Sequence, residues 1–233
     1  MTTNAMQKQL SSSRSISTIL HVVGLLFFAA AFSWLPNITN PLHDGFGGSY
    51  QFLTIIALTL STITFLVGFL ADVSLSAPLF ALKNIFSICA TPLEMLVTIL
   101  YWSLRAIDKR FVVPPGHELP FIPDLGFHAM PGIMLTLDLM LLSPPLTIKA
   151  YGAMTLDSAL IFLYWGWVEY CFSLNGWYPY PLLTQLSTWQ KLCLCLTSAA
   201  LMTSSTIVLK WVYGRVNGVE EVKKGAFNPT KID

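Results

Sequence analysis

Three residues of this chain, each about one helical turn inside a long apolar run, are best placed to do chemistry. Thr54 stands four residues into the run 50–70, and His128 follows Asp124 by four residues in the run 125–142. Glu169 lies a similar distance before the end of the run 150–172. A histidine near neutral pH can take the proton of a hydroxyl, and a hydroxyl so activated attacks an acyl carbon. Thr54 shares a partly polar stripe with Gln51, Leu58 and Ser61. A lone threonine in an apolar helix ordinarily bonds the carbonyl four residues back, so the paired histidine is what singles this one out. Pro131 cannot donate to the carbonyl of Phe127, which predicts a loosened helix beside His128. Asp124, one turn before His128, can either orient that imidazole or cap its own helix. Oxyanion donors stay open between the amides of Gly47-Gly48, the Gln51 side chain and a group from another helix. An acidic third member stays open between Asp124, Glu169 and none.

The elements that must position these groups follow from composition. Of 233 residues, 54% are hydrophobic and 11% charged, against about 25% charged in a soluble domain. Mean hydropathy is +0.63. Disorder needs the opposite balance, and a net charge of +1 supplies no field for nucleic acid. The composition therefore predicts an all-α, polytopic membrane protein. Six runs are long enough to span about 30 Å of hydrocarbon: 15–35, 50–70, 85–104, 125–142, 150–172 and 189–213. They are continuous rather than alternating, which argues against strands. Trp34 and Pro36 look like an interface exit, so the first run reads as a retained span rather than a cleaved signal peptide. Residues 15–213 then form one transmembrane unit between an N-terminal tail, 1–14, and a C-terminal tail, 214–233.

Basic residues orient the bundle. With an even number of spans, Lys8, Arg14, Lys83, Lys149, Lys210, Arg215, Lys223, Lys224 and Lys231 fall on the face of the termini. Only Arg105, Lys109, Arg110 and Lys191 fall on the other, which predicts cytoplasmic termini. Trp177, Tyr178, Tyr180 and Trp189 fit an aromatic belt on the outer side. Thr54, His128 and Glu169 then share a layer about 6 Å below the outer edge. His21 lies at the opposite end.

Other ionisable groups fit that layer less well. Asp138 is about 15 Å deeper than His128 and on another face. Glu94, after Pro92, is expected to line a cavity or stay protonated, and Asp157 lies toward the inner half. Asn37-Ile38-Thr39 matches a glycosylation sequon but abuts the first span too closely for use. Cys89, Cys171, Cys193 and Cys195 show no metal spacing; Cys171 and Cys193 could pair on the outer side. Neither a phosphate-binding loop nor a serine elbow is present, and no cofactor or metal is expected.

Three stretches carry a family resemblance. They are Gly47-Gly48-Ser49-Tyr50-Gln51-Phe52-Leu53-Thr54, then Leu125-Gly126-Phe127-His128 with Asp138 ten residues on and Leu141-Leu142-Ser143-Pro144-Pro145, and Asn175-Gly176-Trp177-Tyr178-Pro179-Tyr180-Pro181. Together, and in this order, they resemble the androgen-induced-gene family, which includes the androgen-dependent regulator of tissue factor pathway inhibitor. The loop 107–124 and the Trp/Tyr/Pro stretch look most like the fungal branch. The resemblance implies a membrane threonine hydrolase acting on fatty acid esters of hydroxy fatty acids. It puts the nucleophile at Thr54 and its partner at His128. It further implies a lipid ester drawn from the bilayer, no nucleic-acid partner, and residence in the endoplasmic reticulum, another endomembrane or the plasma membrane. A non-enzymatic scaffold, lipid-binding protein or transporter is the competing class. The transporter is the weaker of these, because no repeat relates the halves and the polar layer is off-centre.

Overall fold

The computed structural model describes residues 14–38, 44–113, 116–144, 146 and 148–217. Both tails beyond these limits, Thr39 of the sequon and four of the basic residues used for orientation lie outside the described residues. Every regular element among the described residues is helical. In chain order they are α1 (Arg14–Trp34), α2 (Leu53–Ser74), α3 (Ala77–Ile107), α4 (Phe121–His128), α5 (Met130–Leu141), α6 (Ala150–Asn175), α7 (Pro181–Gln185) and α8 (Thr188–Asn217). Short 3₁₀ turns cover Leu35–Asn37, Gly48–Gln51 and Lys109–Phe111.

α1, α2, α3 and α8 are long and apolar enough to cross a membrane. The fifth apolar run forms the 26-residue α6, long enough but less apolar than those four. The fourth run departs from expectation, since it is two helices rather than one. The chain breaks at Ala129, with φ −140° and ψ −43°, and α5 restarts with Pro131 in its first turn. The cause is the one proline imposes: its nitrogen has no proton for the Phe127 carbonyl, and its ring disfavours helical geometry just upstream.

α3 is the central helix, packing on α2, α4, α5, α6 and α8, while α1 lies against α2, α4 and α5. Close approach of α1 and α2 depends on two glycines. A methyl group at Gly24 would fall on the Phe65 ring, and one at Gly68 on the His21 imidazole. One apolar core, including Phe28, Leu58, Phe65, Phe127 and Leu135, fills the space among α1, α2, α4 and α5. Another, including Ala57, Leu96, Ile161 and Met202, joins α2 and α3 to α6 and α8. Outward faces are apolar too, with Leu26 65%, Leu163 71% and Val208 55% exposed. A surface of that kind suits hydrocarbon rather than water as its solvent.

The start of α1 and the end of α8 lie at the same end of the bundle as the end of α5. His21 of α1 contacts Asp138 of α5, and the Asn217 side chain of α8 donates to the Met140 carbonyl. That end also holds a buried ionic cluster. His21 Nδ1 is 2.7 Å from Asp72 Oδ2, Lys83 pairs with Asp138, and Ser143 Oγ donates to Asp138 at 2.9 Å. Asp138 is thus committed to His21 and Lys83, as its distance from His128 implied.

Candidate active site

At the opposite end, residues 47–54, 125–128 and 175–181 of the stretches that carried the resemblance converge. Thr54 lies in the first turn of α2, and the loop before it is sewn to the end of α6. Asn175 accepts from the Phe46 amide at 2.8 Å and donates to the Phe46 carbonyl at 3.0 Å and to Gln51 Oε1 at 3.1 Å. Trp167 donates to the Tyr50 carbonyl and Tyr164 to the Gln51 carbonyl, both at 2.9 Å. Gly47 makes this turn possible: its φ is +86°, and a methyl there would crowd Gln51 and the Cys171 sulfur. Gln51 is fully buried in this seam and also donates to the Gly48 carbonyl, so its side chain is a strut. It lines neither of the cavities that meet at Thr54.

Tyr180, in the loop after α6, brings the third stretch onto the first. Its hydroxyl accepts from the Leu53 amide at 3.0 Å, and Tyr180 lines a cavity together with Thr54 and Tyr164. Burial, the largest influence on it, holds this phenol above the ordinary tyrosine range, so it stays a donor at neutral pH. Its ring stands edge-on to Phe52, with centroids 5.6 Å apart.

The second stretch supplies the histidine. His128 Nδ1 is 3.0 Å from both the carbonyl and Oδ1 of Asp124. Two acceptors at Nδ1 assign the ring proton there and leave Nε2 as the basic nitrogen. Asp124 is completely buried and is fixed in turn by α3: Tyr101 donates to Oδ1, and Arg105 Nη1 to Oδ2 at 2.6 Å. The Tyr101 and His128 rings stack at 3.4 Å, only 2° from parallel. Trp102 Nε1 donates to the His128 carbonyl at 3.3 Å, at the helix break. A carboxylate, an imidazole and a hydroxyl on a separate helix are the group types that a hydrolytic triad uses.

Thr54 and His128, each 8% exposed, line one cavity of about 80 Å³ with Phe52, Ile55, Tyr101 and Tyr180. Among the described residues no hydrogen bond joins the two; they face a shared space. A second cavity of about 130 Å³ also reaches Thr54, between α3, α6 and α8, and its walls are mostly apolar, among them Leu100, Ile161, Val168 and Leu194. The hydroxyl therefore stands where two chambers meet.

Glu169 belongs to a different knot. It accepts from Trp165 at 3.0 Å, Tyr178 at 2.8 Å and Lys191 at 3.3 Å, and it lines neither cavity. It tethers the loop that carries Tyr180. Cys171 and Cys193, which the sequence allowed to pair but did not require to, are unpaired: all four cysteines are free, Cys171 buried beside Gly47 and Cys193 exposed. Sequence reasoning did not assign roles to Tyr101, Arg105, Tyr164 or Tyr180. The i, i+4 spacing of Tyr101 and Arg105 at the end of α3 is the signal that could have pointed to two of them.

Fold and surface together define a multi-pass helical membrane protein with a buried polar site near one end. Residues 16–214 match the model of the FAR-17a/AIG1-like protein family, and the chain belongs to that family. A UPF0641 membrane protein of Schizosaccharomyces pombe is 31% identical over 212 residues, which cover 89% of this chain and 95% of the relative. No solved structure matches.

Proposed function

We propose that this protein hydrolyses lipid esters within the bilayer, with Thr54 as nucleophile and His128 as general base. Fatty acid esters of hydroxy fatty acids are the substrates the family resemblance points to. The observation that carries this reading is the shared cavity of Thr54 and His128, with His128 Nδ1 held by a buried carboxylate. The two chambers support it as well, since an ester in mid-chain carries one apolar arm on each side of its carbonyl.

In this mechanism Thr54 Oγ1 attacks the ester carbonyl as His128 Nε2 takes its proton. Tyr180, which lines the same cavity as Thr54 and His128, is the donor assigned to the developing oxyanion. His128 returns the proton to the leaving alkoxide, which leaves an acyl-threonine. Water, deprotonated by His128, then releases the fatty acid and restores Thr54. The finer topology belongs to the same proposal. Six spans, counting α6 and the paired α4–α5, put both termini in the cytoplasm and the site beneath the outer face, where water enters. The endoplasmic reticulum is the proposed compartment. Lipid binding without hydrolysis is the second reading, favoured by the separation of Thr54 from His128 in the resting site.

The test is hydrolysis of a fatty acid ester of a hydroxy fatty acid by purified protein. Thr54→Ala and His128→Ala are each expected to lose about 10³-fold or more and to escape labelling by a fluorophosphonate probe. Wild-type turnover by either variant would remove the pair from the mechanism. An inactive parent that binds the ester would establish the second reading. Tyr180→Phe is expected to lower kcat about 10²-fold with KM nearly unchanged, and steady-state kinetics on the same substrate reads that split.

A further inference from the structure

α3 carries polar side chains at Lys83, Ser87, Thr91, Glu94, Thr98 and Tyr101, spaced four, four, three, four and three residues apart. That period keeps them on one helical face, and the face points into the bundle. Lys83, Ser87, Thr91, Glu94 and Tyr101 are buried, and the Thr98 hydroxyl is sealed from the surface. The column starts in the ionic cluster of His21, Asp72 and Asp138, and it ends where Tyr101 meets Asp124 and His128. Along it, the Ser87 and Thr91 hydroxyls are 3.2 Å apart, and Ser61 of α2 donates to Glu94 Oε1 at 2.8 Å. Pro92 removes the donor owed to the Ile88 carbonyl, which leaves another acceptor in the middle of α3.

Buried polar atoms are nearly always satisfied, so the exceptions are informative. Among the described residues the buried side-chain atoms without a hydrogen bond are His21 Nε2, Asn84 Nδ2, Glu94 Oε2, Thr98 Oγ1 and Asp138 Oδ1. Packing accidents would scatter through the bundle. These fall on α3 itself or in the cluster at its root, where His21 Nε2 and Asp138 Oδ1 stand 3.2 Å apart without hydrogen-bond alignment. Thr98 Oγ1 is turned toward Gly132, one turn past His128: a methyl there would come within 3.1 Å of it.

We propose that this column is a proton path through the bundle, joining the His21 cluster at one end to His128 at the other. Ionisable groups inside a membrane bundle mark such relays. Glu94 is the central station. A carboxyl group takes a proton on one oxygen as it releases one from the other, and Glu94 holds one oxygen against Ser61 with the second open. Side chains three or four residues apart on a helix are about 5–6 Å from one another, a gap that one bridging water spans. The proton enters at one histidine, moves by successive hops and leaves at the other, so the path itself is chemically unchanged. At one end His21 is buried among Asp72 and Asp138, and at the other His128 faces the cavity that it shares with Thr54. None of this rests on ester hydrolysis.

The experiment uses the purified full-length chain in phosphatidylcholine vesicles holding a pH-sensitive dye, with a potassium diffusion potential as driving force. Wild-type vesicles are expected to acidify faster than protein-free ones, at a rate unchanged when sodium is replaced by choline. Glu94→Gln, which keeps the size and the Ser61 contact, is expected to return the rate to the protein-free level. Thr98→Val, a milder change, is expected to slow it. Elution volume and helicity of each variant report folding; should Glu94→Gln misfold, the parent and Thr98→Val decide. Wild-type vesicles no faster than protein-free ones overturn the proposal, and so does undiminished flux in a folded Glu94→Gln.

Discussion

Asp124→Asn is expected to lower ester turnover by about 10²–10⁴-fold while leaving the helices intact. Asp124 carries the connection between α3 and the histidine, since Tyr101 and Arg105 donate to it and His128 Nδ1 faces it. An asparagine of the same size presents an amide N–H to one of these partners. Turned toward His128, it favours the tautomer with the proton on Nε2, where the base must be. Turned toward Arg105, it leaves a guanidinium without its carboxylate in a site that is mostly buried. Either way the loss falls on kcat, because the substrate chambers are lined by other residues. Steady-state kinetics on the same ester substrate checks it. Turnover within threefold of the parent would reduce Asp124 to a helix-capping residue.

The second large effect is on stability. Lys83→Met leaves Asp138 as an uncompensated charge, with Lys83 and Asp138 only 3% and 0% exposed. Breaking a buried pair from one side costs about 3–5 kcal/mol. His21 lies 3.2 Å from Asp138 and can relieve part of that by holding a proton, so the lower end of the range is expected. Removing both charges is the contrasting case. Lys83→Met combined with Asp138→Leu is expected to be more stable than either single variant, because no lone charge remains. A double-mutant cycle of thermal unfolding in detergent measures the coupling. A double variant as unstable as the sum of the two singles would show that the pair does not interact.

How far these features could be read from sequence depended on whether the interaction was local. Helices came through because hydrophobic solvent forces backbone hydrogen bonds inward, and runs of apolar residues declare that directly. The weak point before Pro131 was legible for the same reason, a missing N–H being a property of one residue, although the sequence pointed to one loosened helix and the structure has two. Thr54 and His128 were singled out by residue type and by depth, since rise per residue converts sequence position into height, and both line one cavity. Asp124 was ambiguous because the spacing that lets an aspartate orient a histidine one turn later also lets it cap the helix. Its partners decide the matter, and Tyr101 and Arg105 are 23 and 19 residues away. Glu169 shared the right height but not the right wall, and height does not encode rotation about the bundle axis. Tyr180 was visible as part of a motif, yet its contact with Thr54 is a matter of tertiary folding.

That last contact reaches into biogenesis. Leu53 and Tyr180 are 127 residues apart in the chain, and the loop before Thr54 is clamped by Asn175. A chain emerging from the ribosome inserts α2 long before these partners exist. On the proposed function, Thr54 therefore spends most of synthesis without the groups that place it, and hydrolysis of surrounding lipids waits until α6 and the loop beyond are in place. A chain ending before residue 175 is then expected to lack ester hydrolysis, so that completing the fold is what switches the proposed site on.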